Sequence, residues 1–565
     1  MFRLARFLKG YLKELIIGPL FKFTEAVFEL IVPLVMAAII DNGVKNNDAA
    51  YVYKMGAVLI ILGLTGLTCA LICQYLASVA SQGTGTIIRN ELYKHINSLS
   101  HAELDKLGAH SVIVRLTGDV NQIQLAVAML IRLVVRAPFL AVGAVIMTII
   151  IDIQLSLVIL CVTPIIVLVI YLIMKHLTPF YKLIQSKLER ITLIVRENLA
   201  GARVIRAFSN QEKEQKRFDE AGNDLAATAV KVGRLSALLN PLTAVIMNSG
   251  IILILRFGGF RVEAGNLSQG QLIAFVNYMT QIMLACIVVA DVVIIFTKAS
   301  ASAARINEIF GTKSSIISGS VTEFANREIA VKFNDVAFAY NEKPILENIN
   351  LEIKKGETFG VIGATGSGKS TLVNLIPRFY DVSSGSIEIF GVDIRNIDLE
   401  TLRKAVHIVP QQANVISGTV AGNIRWGNES ATDDEIDEAL RIGQAVGINS
   451  IIEQNGKNLS GGQKQRLTIA RAIVGKPDIL ILDDSTSALD ASTDLNLRKA
   501  IAENLKDTAV IIVSQRAGTL RRADKIAVMD NGEIVGLDTH FNLYDNCTLY
   551  REICESQAVS RGGES

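Results

Sequence analysis

Four stretches of the chain, Met55 to Ile88, Ile153 to Met174, Leu235 to Leu255 and Ala264 to Ala290, contain no Asp, Glu, Lys or Arg. Roughly 20 apolar residues in a helix cross a hydrocarbon core of about 30 Å, so each stretch can span a bilayer. Two weaker runs complete the set. Ile16 to Ile40 is interrupted by Lys22, Glu25 and Glu29, and the run ending at Ile151 carries Arg132 and Arg136 in its first turns. Charged groups in spanning segments rarely face lipid, so these are expected to face protein or water. The expectation is six spanning helices. Of 565 residues, 50% are hydrophobic and 19% charged, which excludes a disordered chain and is unusual for a soluble one. The six cysteines have no metal-ligand spacing and imply no disulfide scaffold.

The net charge of +2 hides two chemically different halves. Residues 1–300 hold 28 Lys and Arg against 19 Asp and Glu, and the remainder holds 28 against 35. The long connections Gly83 to Gln124 and Lys175 to Arg234 together hold sixteen basic residues. The short ones hold only Lys45, Lys54, Arg256 and Arg261. Counted this way the short loops belong outside; counted per residue, the difference nearly vanishes. Ile184, Leu188, Ile191, Val195 and Leu199 recur at helical spacing, so the spanning helices are expected to continue beyond the membrane, with breaks near Gly108 to Ser111 and at Gly201. Such elbows would present short helices to whatever lies below; the alternative is a solvated hairpin without a partner. The N-terminal MFRLARFLKGYLKEL suits a helix in the membrane interface and is too charged for a signal peptide.

Residues 1–300 therefore read as a transmembrane domain, 301–326 as a linker, and 327–565 as a second domain in which short β-branched runs alternate with helical patterns. Within the second domain, a strand ending at Val361 and Ile362 runs into GATGSGKST, Gly363 to Thr371, and then into a helical stretch. This matches a phosphate-binding loop in its required context. Its glycines let backbone N–H groups turn toward phosphate oxygens, Lys369 adds a point charge, and Ser370 can ligate magnesium. The apolar run Ile479 to Leu482 delivers Asp483 and Asp484 to a strand end, where Asp483 would organise magnesium. Ser460, Gly461, Gly462 and Gln463 begin the helix KQRLTIARAI, a second anion-binding helix terminus. One domain cannot easily bring two such termini to one triphosphate, which suggests that this end serves a nucleotide held by another chain.

Six membrane helices followed by GATGSGKST, Gln411 in IVPQQ, LSGGQ and ILILDD, in that order, strongly resemble an ABC exporter half-transporter. The resemblance implies a six-helix α transmembrane domain followed by an α/β P-loop nucleotide-binding domain, with ATP and Mg2+ as ligands. It implies that two chains pair head to tail, each ATP lying between one phosphate loop and the other chain's LSGGQ. By the same resemblance Tyr340 stacks on adenine, and Gly363, Thr365, Gly366, Ser367, Gly368, Lys369, Ser370 and Thr371 hold the phosphates. Ser370, Gln411 and Asp483 hold magnesium, Ser487 to Asp490 cross the dimer interface, and elbows near Ser111 to Leu116 and Gly201 to Phe208 match coupling helices. An ATP-binding domain belongs in the cytoplasm, and six helices place the N-terminus there too, in a multi-pass protein of the plasma (inner) membrane.

Three departures qualify the resemblance. Asp484 stands where the family has a catalytic glutamate, Gln515 stands where it has a switch histidine, and Val446 to Asn458 is shorter than the family pattern, which puts Glu453 at the acidic position before LSGGQ. Aspartate is one methylene shorter than glutamate, and a misplacement of about 1 Å can cost on the order of a hundredfold in rate. Glutamine cannot carry the charge of histidine or relay a proton. The chain is thus expected to be the degenerate-site subunit of a heterodimeric exporter, its partner a second half-transporter with complete Glu and His. The alternatives are neutral drift in a homodimeric exporter with Asp484 as a working base, and a nucleotide-gated regulatory or channel subunit. The expected surroundings are a lipid bilayer and a small-molecule or lipid-like substrate, with no nucleic acid. Glu25, Glu29, Arg132, Arg136 and Asp291 either line a cavity or pair with one another.

Overall fold

Long apolar helices dominate the first half of the computed structural model, which describes residues 2–324, 327–340, 343–448 and 450–562. The six spans are Leu4–Val44, Ala49–Asn97, Ala109–Ile151, Ile153–Ala200, Gln211–Glu263 and Gln269–Gly311. Their 41 to 53 residues correspond to about 60 to 80 Å at 1.5 Å per residue, roughly twice a hydrocarbon core. They therefore continue well past the membrane, as the periodicity after Lys175 predicts. Contacts divide the chain into residues 1–97 with 110–311, and residues 98–109 with 312–565.

The first unit is a helical bundle whose core joins Ala26 and Leu30, Leu140 and Ala144, Ile159 and Ile166, Ile254, and Phe275, Tyr278 and Ile282. Small residues bring these helices together: a Cβ at Gly143 would lie 2.5 Å from Leu30 Cδ1. The buried Tyr278 hydroxyl donates to the Leu30 carbonyl at 2.7 Å, satisfying a polar atom that burial would otherwise penalise. Asp152 caps the fourth span by accepting from the Leu155 amide at 2.9 Å and pairs with Arg261 at 2.6 Å. The last span runs to Gly311, beyond the boundary expected at residue 300.

Both expected elbows are short helices, one displaced. The second is Ala202–Ala207, bounded by Gly201 and Phe208, at its expected place. The first is His101–Leu107, whereas Ser111 to Leu116, its expected position, lies inside the third span. Gly108, at φ 71°, ends the short helix in a conformation that L side chains rarely adopt, and extended Ser100 begins it. The chain does break at Gly108, at the start of the stretch expected to hold a break, and the short helix lies before that break instead of after it.

The second unit is built on a six-stranded sheet in the spatial order Val406–Val409, Ile479–Asp483, Ala509–Val513, Thr358–Gly363, Lys525–Asp530 and Glu533–Asp538. The first five strands are parallel and the last is antiparallel. The parallel strands are buried on both faces, which explains why Ile479 to Leu482 and Ala509 to Val513 are uniformly apolar rather than alternating. A four-stranded antiparallel sheet contains Ile329–Ala339, Pro344–Lys354, Ser384–Ile389 and Val392–Asp393. Ligands bind beyond the carboxyl ends of parallel strands, where the sequence motifs converge.

Candidate active site

Strand Thr358–Gly363 and helix Lys369–Leu375 hold the phosphate loop between them. Gly366 and Gly368 take φ of 87° and 97°. A Cβ at Gly363 would stand 2.3 Å from the Met529 carbonyl oxygen, so this close backbone approach demands glycine. Lys369 Nζ donates to the carbonyl oxygens of Gly363 and Ala364 at 2.9 and 2.7 Å, holding the ammonium inside the curve of the loop. Burial pushes Lys369 below its ordinary value, against the pull of Asp484 and Asp483.

Asp483 and Asp484 arrive from the neighbouring strand end. Ser370 Oγ donates to Asp483 Oδ1 at 3.0 Å, joining the two groups expected to hold magnesium. Burial raises the Asp483 carboxyl above the usual carboxylate range, with Ser370 opposing. An oxygen-rich pair that burial disfavours as an anion fits a divalent cation. Asp484 is also raised by burial, opposed by Lys369, Arg516 and Gln411. Its carboxylate accepts from Gln411 Nε2 at 3.4 Å, and its backbone is left-handed at φ 44°, which Asp tolerates better than most residues. Thr365, Gly366, Gly368, Lys369, Ser370, Thr371, Gln411, Asp483, Asp484 and Gln515 line one cleft of about 300 Å³. Ser367 lies buried under the loop within reach of Lys369, at 3.4 Å. Tyr340, half exposed, reaches Thr371 Oγ1 through its hydroxyl at 3.4 Å.

The signature residues form a separate feature. Ser460 Oγ accepts from the Gln463 amide at 3.2 Å and Gln463 Oε1 accepts from the Ser460 amide at 2.8 Å, a reciprocal cap on helix Gly461–Ile473. A Cβ at Gly461 would meet nothing within 4 Å. Ser460, Gly461, Gly462 and Gln463 are absent from the lining of the phosphate-loop cleft among the described residues. The segment before them folds through Ile451–Ile452, paired with Gly418–Thr419, and a turn at Gln454–Gly456; Asn449 lies outside the described residues. Glu453 is exposed, its amide donating to Asn458 Oδ1 at 3.0 Å. Asp490 caps helix Ala491–Asn504 by accepting from the Thr493 amide at 2.8 Å.

Sequence reading missed two supports of this site. Tyr380 stands edge-on to Tyr340, ring centroids 5.1 Å apart, and donates its hydroxyl to Asp105 Oδ2 at 2.7 Å. His101 packs on Phe379, centroids 4.6 Å apart, so the first elbow helix belongs to the second unit through these rings. On the other side, Gln557 in the C-terminal helix donates to the Gln515 carbonyl at 2.7 Å and accepts from the Ala517 amide at 2.9 Å, clamping the loop that carries Gln515. Nothing in the local sequence of Tyr380, Asp105 or Gln557 marks them, because each acts through a partner distant in the chain.

Residues 15–286 match the family model for the ABC transporter transmembrane region, and residues 346–487 match the one for the ABC transporter. The chain is 35% identical over 572 residues to an uncharacterized ABC transporter ATP-binding protein of Mycobacterium tuberculosis, covering 99% of this chain and 98% of that protein. It is 30% identical over 561 residues to the ATP-dependent lipid A-core flippase of Chromobacterium violaceum, covering 98% and 96%. A bacterial Atm1-family ABC exporter solved with ATP bound shares the fold, with a TM-score of 0.80 at 21% identity over 98% of each chain.

Proposed function

This chain belongs to the ABC transporters, with transmembrane region and ATPase domain in one polypeptide, and we propose that it is the degenerate-site subunit of a heterodimeric exporter. Asp484 and Gln515 in the cleft carry the reading of a degenerate site, and the separation of LSGGQ from that cleft supports the pairing with a second chain. The capped helix terminus at Ser460 is exposed and outside the cleft that Lys369 and Asp483 line, so it is available to a nucleotide on a partner chain. The partner's LSGGQ would in turn close over this chain's loop.

ATP at this chain's own site would be held by the loop amides and Lys369, with the adenine against Tyr340. Ser370, Asp483 and Gln411 would hold Mg2+, which supplies charge neutralisation at the phosphates. Hydrolysis is water attack on the γ-phosphorus, releasing ADP and phosphate, and it depends on positioning and charge rather than covalent chemistry. Asp484 and Gln515 are the weak points. The first is a shorter carboxylate, and the second cannot become a cation. ATP would therefore bind here and outlast turnover at the partner's site. Closure of the paired domains would move the membrane helices through the two elbow helices, and Phe208, 73% exposed beside the second elbow, offers an apolar docking group. The ATPase unit and N-terminus would be cytoplasmic.

Counting trapped nucleotide on the assembled heterodimer tests the proposal. One ATP retained per dimer while the other site turns over is the expected result, and rapid, equal exchange at both sites would overturn it.

A further inference from the structure

The loop that carries Gln515 is held from outside the sheet. Strand Ala509–Val513 ends beside Asp483, and past it the Ser514 amide donates to the Val361 carbonyl at 3.0 Å while Ser514 Oγ accepts from the Arg516 amide at 3.0 Å. Those bonds fix the first half of the loop. Two further backbone groups, the Gln515 carbonyl and the Ala517 amide, flank Arg516 on an extended backbone, and both bond to Gln557, at 2.7 and 2.9 Å. One carboxamide thus does what a neighbouring strand would do, donating to one residue's carbonyl and accepting from the amide two further on. Among side chains of that length, only glutamine carries a donor and an acceptor side by side. Gln557 stands on the inner face of helix Thr548–Gly562, four residues beyond Ile553 and seven beyond Tyr550. Tyr550 is fully buried, its hydroxyl 2.8 Å from His540 Nδ1, and Ile553 and Cys554 pack on the core that also takes Ala517 and Leu520. The clamp is therefore anchored at both ends.

The clamp bears on the cleft through the two residues it controls. Gln515 lines the cleft with Lys369, Gln411 and Asp484, and Tyr340, the expected adenine contact, is absent from that lining among the described residues, so the lined part is the phosphate end. The Asp484 amide donates to the Val513 carbonyl at 3.0 Å, so Gln515 and Asp484 leave neighbouring strand ends. Burial raises the Asp484 carboxyl, and Arg516 is among the groups opposing it. Gln515 cannot become a cation, but its carboxamide can still donate to a phosphate oxygen. Without the clamp its loop would be tied by its first half only, and a donor about 1 Å out of place is beyond hydrogen-bonding distance. We propose that Gln557 is a positioning residue: by bridging the backbone across Arg516 it aims the Gln515 carboxamide at the terminal phosphate, and so lengthens the stay of ATP, but not of ADP, in this chain's own site. The inference rests on the reading of this cleft as an ATP site and not on a division of labour between two chains.

Two measurements on the full transporter test it. Gln557→Met keeps the length of the side chain without its donor and acceptor, and Gln557→Glu keeps the bond from the Ala517 amide but sets an oxygen against the Gln515 carbonyl. In the first measurement, labelled ATP or labelled ADP is bound with Mg2+ and chased with unlabelled nucleotide, the phase of this chain's own site being the one that Lys369→Ala removes. Either variant should speed the release of intact ATP about three- to tenfold, less than a whole charge-assisted hydrogen bond because the loop is loosened and not removed, and should leave ADP release unchanged. In the second, without nucleotide, hydrogen exchange of residues 514–520 should become faster in Gln557→Met. Equal acceleration for ATP and ADP would mean a general loosening of the domain and overturns the inference, as does ATP release at the wild-type rate or unchanged exchange in residues 514–520. If Gln557→Met does not fold, Gln557→Glu decides by the same contrast of ATP with ADP. The trapped-nucleotide count is made on the wild type, so a failure here leaves the degenerate-site reading standing, and the converse holds.

Discussion

In the proposed reading, Asp484 and Gln515 limit what this chain's own nucleotide site can do. Asp484 sits at φ 44°, donates its amide to the Val513 carbonyl at 3.0 Å, and faces Gln411. Asp and Asn occupy such a backbone more readily than longer side chains, so the aspartate suits the local fold while shortening the reach of the carboxylate. A well-placed general base contributes about 10² to 10⁴ in rate. In a heterodimer whose partner glutamate has been inactivated, Asp484→Glu combined with Gln515→His should raise residual ATP turnover toward the lower end of that range, because the left-handed backbone hosts glutamate less well. Unchanged turnover would mean that neither residue limits this site. The positions of both residues were legible in the sequence, since they follow apolar strands at fixed places. Their hydrogen-bond partners were not: Gln557 reaches the Gln515 loop from a C-terminal helix that carries no motif.

Elements with strong local signals were read correctly, and those set by distant contacts were not. The phosphate loop announces itself because strand, glycines and helix are contiguous, and the spans because lipid requires long apolar runs. The first elbow was misplaced because its limits depend on extended Ser100 and left-handed Gly108, while its assignment to the second unit rests on rings 275 or more residues away in sequence. The polar cluster of the membrane unit resolved an open alternative in part: Glu25, Glu29 and Arg136 do pair, but Arg132 does not find a carboxylate, and Asp291 is exposed. Tyr380 links the elbow to the aromatic group beside Thr371 through one hydroxyl donated to a carboxylate. Tyr380→Phe keeps the ring packing and removes that bond. Hydrogen exchange of the amides in residues 98–109 should then become about three to ten times faster, a bond to a charged group being discounted for solvent, with ATP binding unchanged. Exchange at the wild-type rate would show that the ring stacking alone holds the elbow.

At the scale of the whole molecule, orientation and division of labour each make a measurable demand. With six spans and the ATPase unit cytoplasmic, as proposed above, exposed Lys45 should lie outside and exposed Lys213 inside. Cysteine placed at Lys45 should react with an impermeant thiol reagent in intact cells and cysteine at Lys213 should not; the opposite pattern would reverse the topology. The division of labour makes a sharper demand, because one chain then carries a dispensable motif and an indispensable one. Gly461→Asp puts a carboxylate where a Cβ meets nothing within 4 Å, so this chain's packing is undisturbed. The new charge stands at a helix N-terminus that would receive the partner's γ-phosphate, where repulsion replaces attraction. Asp484→Asn alters only this chain's own site, the weak one in the proposed division of labour, and suits the left-handed backbone. Steady-state ATPase of the assembled heterodimer, with one change at a time in this chain, reads both. The account predicts that Gly461→Asp nearly abolishes activity while Asp484→Asn leaves most of it, and equal damage from the two changes would contradict it.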